Sequence, residues 1–272
     1  MSAMDFLVFQ LQAPMASWGE AAVGEYRGSA PHPGQSALVG LLGAALGLDR
    51  ADEAAHAALR DGYGFAVGVL GAQGDGRLLR DYHTAQVPPR SALKGRPHAT
   101  RRDELAMPKR ELGTILSTRD YRQNVHYLIA VALREGATAP HTLAALAQAL
   151  RTPRFHLYLG RKTCAPAAPL WPQVVEAASA HAAMQVFGER FEAQRQQAQA
   201  ATQAARPQRW VPEVLEPLPS LTRLHFDAHI PAGVPAWLNV PRKDRLMSRR
   251  GWQFGDRTEF TAWLAEEEPP CS

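Results

Sequence analysis

Apolar positions along this chain come in short bursts, and the spacing within each burst predicts an element. Phe6 to Leu11 (FLVFQL) is β-rich and apolar on both faces, the pattern of a central strand covered on each side. Ser36 to Leu48 sets Leu38, Leu42 and Leu46 on one helical stripe, with Ser36 placed to cap its start. Gly40, Gly43 and Gly47 form a second stripe, where bare backbone calls for a closely packed neighbour, within the fold or on a partner. A short alanine-rich helix follows around Asp52 to Leu59. Phe65 to Leu70 and Arg77 to His83 flank a turn rich in glycine, Gly71 to Gly76, and read as a hairpin. Val125 to Leu133 reads as a buried strand. Pro140 to Arg151 is an amphipathic helix with Leu143, Leu146, Ala147 and Leu150 on one face, stopped by Thr152-Pro153 and followed by a strand at Arg154 to Leu159.

Strand, helix, hairpin, strand, helix, strand is the βαβ-βαβ outline of a ferredoxin-like sheet in an α+β protein. Residues 1–87 and 117–172 would form that body, and 88–116 would be inserted in it. Beyond Pro172, Val174 to Ala205 is rich in Ala, Gln and Glu, with a core stripe of Met184, Phe187 and Phe191. Short strand-like pieces follow from Leu221 to Phe260, so 173–272 forms a helical and stranded extension. Its cluster Arg242, Lys243, Arg245, Arg249 and Arg250 suits either nucleic acid or the solvated edge of a sheet.

Charge sharpens this picture. The chain has 272 residues and a formal net charge of +4, and the excess is concentrated between Pro88 and Arg122. That stretch carries Arg90, Lys94, Arg96, Arg101, Arg102, Lys109, Arg110, Arg119 and Arg122 but few large apolar residues, so it cannot build a core of its own. It is either a loose loop or a projecting arm that orders against phosphates. Two cysteines, Cys164 and Cys271, cannot make a disulfide framework or a four-ligand zinc site, which points to a reducing cytosol. The apolar runs are too short and too broken by glycine to span a bilayer. The ten histidines lack ligand spacing, and there is no phosphate loop, so neither metal nor cofactor is expected.

Three segments mix cations, aromatic rings and hydroxyls, the combination that holds single-stranded RNA. They are Asp81-Tyr82-His83-Thr84, the stretch Ser117 to Ala130 with Arg119, Tyr121 and Arg122, and PRFHLYLGRKTC from Pro153. In the last, Gly160 opens the backbone to a polyanion beside Arg161 and Lys162.

The runs FLVFQLQAPMASWG, SALVGLLGAALGL, DYHTAQ, ILSTRDYRQNVHYLIA and PRFHLYLGRKTCAPAAPL, in this order, resemble the CasD family, a subunit of the type I-E CRISPR surveillance complex Cascade. The resemblance covers most of the first 170 residues; nothing after Leu170 matches a motif. It implies a modified RRM-like body whose basic thumb, 88–116, folds against the adjoining backbone subunit. The protein would grip the 5′ handle of the CRISPR RNA, with the large PAM-reading subunit docked nearby, and Tyr158, Gly160, Arg161 and Lys162 would cradle handle nucleotides. The RNA-binding set is completed by Arg27, Ser36 and His83, by Lys94, Arg96, Arg101, Arg102, Lys109 and Arg110 of the thumb, and by Arg119, Tyr121 and Arg122. No catalytic residue is implied, because the type I-E branch assigns RNA cutting to another subunit. Type I-C relatives do cut repeat RNA without metal, and Tyr82, His83, Tyr121, His126 and Lys162 would supply the groups for that alternative. A stand-alone RNA-binding protein is the third reading.

Overall fold

The strand expected at Phe6 runs from Met4 to Ala16 (β1), and its alternation feeds two cores at once in the computed structural model. Leu7, Phe9 and Leu11 enter one apolar cluster and Phe6 and Val8 the other. All five are at most 1% exposed, and each is worth roughly 1.5–3 kcal/mol of hydrophobic burial. The structure describes residues 3–20, 22, 24–71, 74–95, 99–205, 216–249 and 251–264.

After β1 come three short strands, β2 (Trp18–Gly19), β3 (Tyr26–Arg27) and β4 (Ser29–Ala30), then helices α1 (Gln35–Leu46) and α2 (Glu53–Gly62). Ser36 lies inside the first turn of α1 and does not cap it. The cap position is Gly34, and the Gln35 amide donates instead to Asp244 Oδ2, 3.1 Å away in the C-terminal third of the chain. The glycine stripe is packed within the fold, since a Cβ built on Gly43 would stand 2.8 Å from the His56 ring of α2. Asp52 caps α2, accepting from the Ala55 amide at 2.9 Å.

β5 (Tyr63–Leu70) and β6 (Arg77–Val87) do not form the expected hairpin. Both lie antiparallel to β7 (Gly113–Leu133), β5 against its second half and β6 against its first, so the two strands follow one another along the same edge. The His126 amide donates to the Gly74 carbonyl at 2.9 Å, and Asn124 of β7 takes φ 55° at the junction, a region Asn tolerates. The hairpin that does exist is β6–β7, paired from Arg77↔Gln123 to Val87↔Gly113. Its tip carries α3 (Arg90–Leu93), α4 (Arg101–Glu104) and a 3-10 turn at Lys109–Glu111.

α5 (Leu143–Arg151) buries Leu143, Leu146, Ala147 and Leu150, the face read from its spacing. No strand follows at Arg154 to Leu159. The Arg154 and Phe155 amides donate to the Ala45 and Ala44 carbonyls, closing the end of α1, which leaves them nothing for a ladder. The strand after α5 is β8 (Gln173–Ala177), so Val174 to Ala177 is extended and the helix α6 spans Ala180–Ala205. Its Met184, Phe187 and Phe191 are buried against the second cluster. β9 (Leu221–Phe226), β10 (Leu238–Ser248) and β11 (Gln253–Trp263) complete the chain.

Among the described residues the large sheet has the order β10-β11-β9-β5-β7-β1-β8, with β3 and β6 also paired to β7. All of its pairings are antiparallel except β3 with β7. α1 and α5 cover one face of it and α6 the other. No helix among the described residues is long and apolar enough to cross a membrane.

Candidate nucleic-acid interface

β7 leaves the core at Tyr121, and the residues around that exit include about half of the predicted contacts. Strand alternation splits them between two faces. Arg119 lies opposite Asp81 on β6 and Arg27 on β3, and His83 lies opposite Ser117, so these residues share the face that continues through Tyr121. Arg27 and Arg119 are exposed. Tyr82, Arg80, Asp120 and Arg122 occupy the other face.

On the first face the turn Leu159 to Cys164 is locked against the end of β1. The Ser17 amide donates to the Leu159 carbonyl at 3.0 Å, the Leu159 amide to Cys164 at 2.7 Å, and the Cys164 amide to Arg161 at 2.8 Å. Gly160 has φ 88°, and a Cβ there would stand 1.7 Å from the Ser17 carbonyl oxygen, so only glycine fits. The turn lays the Arg161 guanidinium over the Tyr121 ring, 4.5 Å from its centroid, and Arg161 Nη2 donates to the Arg27 carbonyl at 3.3 Å. Tyr121 is 8% exposed and belongs to the core. Its ring is a platform for Arg161 rather than a free stacking surface. Lys162 beside it is exposed. Burial raises the pKa of the Cys164 thiol, which makes this cysteine a packing residue; Cys271 lies outside the described residues.

On the second face Asp120 is 2% exposed yet charged. Arg80 donates to it at 2.9 and 3.1 Å, Tyr26 Oη at 2.5 Å, and the Arg80 hydrogen bonds hold its carboxyl below the usual range. Arg122 Nη2 reaches the Ser29 carbonyl at 3.3 Å. This network, which the sequence reading missed, ties β3, β6 and β7 together where the arm begins.

The arm's cations stand in solvent. Lys94, Arg102, Lys109 and Arg110 are exposed; Arg101 pairs with Glu104 at 2.7 Å and donates to the Gln86 carbonyl. Arg96 lies outside the described residues. Elsewhere, Tyr158 is 39% exposed beside the exposed Phe155, and the segment from Arg154 to Leu157 borders a groove of about 650 Å³. Ser36 is not at the arm; its helix N-terminus faces the C-terminal strands.

Those strands hold a second buried cluster. The His32 and His225 rings stack with centroids 3.7 Å apart, His32 Nε2 lies 2.8 Å from Glu259, and His225 Nδ1 lies 2.9 Å from Thr261 Oγ1. The ligand atoms of His32, His225 and Glu259 fall within 4.8 Å of one another, a spacing a metal ion could use. Glu259 already receives Arg257 at 2.6 Å, however, and Arg242 stands 3.8 Å away, so a dication would meet two fixed positive charges. The donor set fits an ion-pair network better than a metal. Partners 227 residues apart in sequence gave no spacing signal.

The model of the family described as CRISPR-associated protein (Cas_Cas5) matches residues 6–217. The CRISPR system Cascade subunit CasD of Escherichia coli (strain K12) is 32% identical over 171 residues, covering 61% of this chain and 69% of that relative. A chain in a structure titled CRISPR RNA-guided surveillance complex superposes with a TM-score of 0.54 at 23% identity, over 95% of this chain and 89% of its own. A second structure, titled Crystal structure of Cas protein, gives 0.50 at 22% identity over 95% and 94%. These two show a shared fold, with its large antiparallel sheet and flanking helices. Most of the chain lies within one family model, and the chain belongs to the CRISPR-associated Cas_Cas5 family.

Proposed function

We propose that this protein is a non-catalytic, cytoplasmic Cascade subunit of the type I-E kind that holds the 5′ handle of the CRISPR RNA and serves as a scaffold for its neighbours. The sheet order β8-β1-β7-β5, crossed over by α1 and α5, is read as a modified RRM-like body, and β6–β7 with its helical tip as the thumb. The observation that carries the reading is the locked turn at Gly160, which presents Arg161 and Lys162 beside Arg27 and Arg119 where the cationic arm leaves the sheet. Phosphates would bind these cations and the thumb would order against RNA and the adjoining backbone subunit, while the large PAM-reading subunit docks nearby.

The placement of the candidate catalytic groups supports the non-catalytic reading. Tyr82 and His83 face opposite sides of β6, Tyr121 is covered by Arg161, and His126 lies 3.3 Å from Gln10, its pKa lowered to about 4 by burial. One observation keeps the ribonuclease alternative in play: His83 Nε2 sits 2.5 Å from Asp81 on a solvent-facing ribbon. Incubation of the protein with repeat RNA in EDTA separates the two. Intact RNA is expected; a clean cut abolished by His83→Ala would establish the alternative. For binding, Arg161→Ala with Lys162→Ala should flatten the salt dependence of RNA affinity by about 0.7 in log-log slope per lost phosphate contact. An unchanged slope would remove the turn from the interface.

A further inference from the structure

At the turn joining β10 to β11, Arg249 has no carboxylate partner among the described residues. Arg249 is half-buried, and its Nε has no hydrogen-bond partner among the described residues. Burial, and then the like charge of Arg50, push its pKa down, and no carboxylate is paired with it among the described residues. Its guanidinium lies along the bare side of α1, where a Cβ on Gly40 would stand 3.5 Å from Nη2. Arg50 in turn lies over the Trp252 ring, 4.4 Å from the centroid. That ring is 56% exposed, and its backbone takes φ 49°, in the left-handed region that bulky residues rarely adopt.

Like charges on half-buried Arg249 and exposed Arg50 call for an anion, and the Trp252 indole, which already meets Arg50 and Phe254, offers its remaining exposed surface to a flat partner. Single-stranded nucleic acid offers both in each nucleotide: a phosphate for the guanidiniums and a base for the ring. An acidic peptide would answer the charges and leave the indole unused. Arg249 and Trp252, at the turn between β10 and β11, lie beyond residues 6–217, the span matched by the family model, whereas Arg50 lies within it. Tyr158, whose phenol lies near Arg249, precedes Arg161 by three residues, at most about 11 Å of chain.

We propose that Arg50, Arg249 and Trp252 form a second binding point for single-stranded nucleic acid, reached from the Arg161 turn along the segment that includes Tyr158. The identity of the polymer rests on the RNA reading above, whereas the site itself does not use the arm.

The test measures fluorescence anisotropy of a labelled 12-nucleotide oligouridine, the matching oligodeoxynucleotide and a glutamate-rich peptide on the full chain. The variants are Arg50→Ala with Arg249→Gln, Trp252→Ala, Trp252→Phe, and Arg161→Ala with Lys162→Ala. The Arg50/Arg249 variant is expected to weaken oligonucleotide binding and lower the salt slope by about 0.7 for each phosphate lost. Trp252→Ala should weaken binding about 5- to 150-fold, with Trp252→Phe restoring most of it. Unchanged affinity and slope in the cluster variants would overturn the site, and tighter binding of the peptide than of either oligonucleotide would overturn its ligand. Loss only in the Arg161/Lys162 variant sinks this proposal and spares the handle reading; loss only in the cluster variants does the reverse.

Discussion

The two halves of β7 are one strand in two environments. From Val125 to Val131 its side chains are nearly all buried between α1 and α5 on one face and α6 on the other. From Gly113 to Ser117 it is the outer limb of a two-stranded ribbon in water, with Ile115 50% and Leu116 36% exposed. The buried half owes its shape to packing. A two-stranded ribbon has no such support and is marginal on its own, so the exposed half depends on the Asp120 and Arg161 anchors at its base and on whatever binds it. Stability is thereby assigned to one stretch of the strand and, on the proposed function, recognition to the other.

The largest effect should come from the buried half: Ile129→Ala ought to remove about 2–5 kcal/mol of stability in urea unfolding, and a loss near zero would break the comparison. Replacing residues 88–112 by Asn-Gly, a two-residue turn across the paired Val87 and Gly113, should leave the thermal midpoint within a few degrees while RNA affinity drops together with its salt slope. A collapse of the fold would show instead that the tip supports the body. Gly160→Ala strikes the hinge between the two regimes and should cost about 1–3 kcal/mol and weaken RNA binding as Arg161 shifts; circular dichroism melts and anisotropy would report both.

Acid should act on the core side. Burial and the neighbouring His32 hold the His225 pKa well below its ordinary value, so the folded protein refuses a proton that the unfolded chain accepts below about pH 6.5. The urea midpoint should therefore be flat above that pH and fall as the solution is acidified, and His225→Gln should reduce the fall. An identical pH slope in both proteins would show that another group carries it. The smallest effect belongs to the ribbon, where Ile115→Ala should change stability by less than about 0.5 kcal/mol.

Much of the body was legible because its signals are local. The doubly buried pattern of Phe6 to Leu11, the stripe Leu143, Leu146, Ala147 and Leu150, and the Met184, Phe187, Phe191 spacing each name their own core face. Local signals failed where a distant partner decides. Gly71 to Gly76 looks like any hairpin turn, yet the neighbour of both flanking strands is β7, reached only after the arm. Arg154 to Leu159 has strand-like residues, but its first amides are taken by the end of α1. At the candidate site, Gly160, Arg161 and Lys162 were readable as a cationic turn. The Tyr26, Arg80 and Asp120 network and the stack of His32 on His225 were not, because each joins residues far apart in the chain.

The length of β7 has one more consequence. Twenty-one residues at about 3.3 Å each make a bar of roughly 70 Å, clamped at one end by the core and free at the other. Inserting a single residue near Asn124 would leave the clamped end in place and rotate the free end by half a turn, exchanging Arg119 for its neighbour on the face beside Arg161. A molecule built this way measures distance and direction from its interior, and evolution can lengthen its reach only in steps of two.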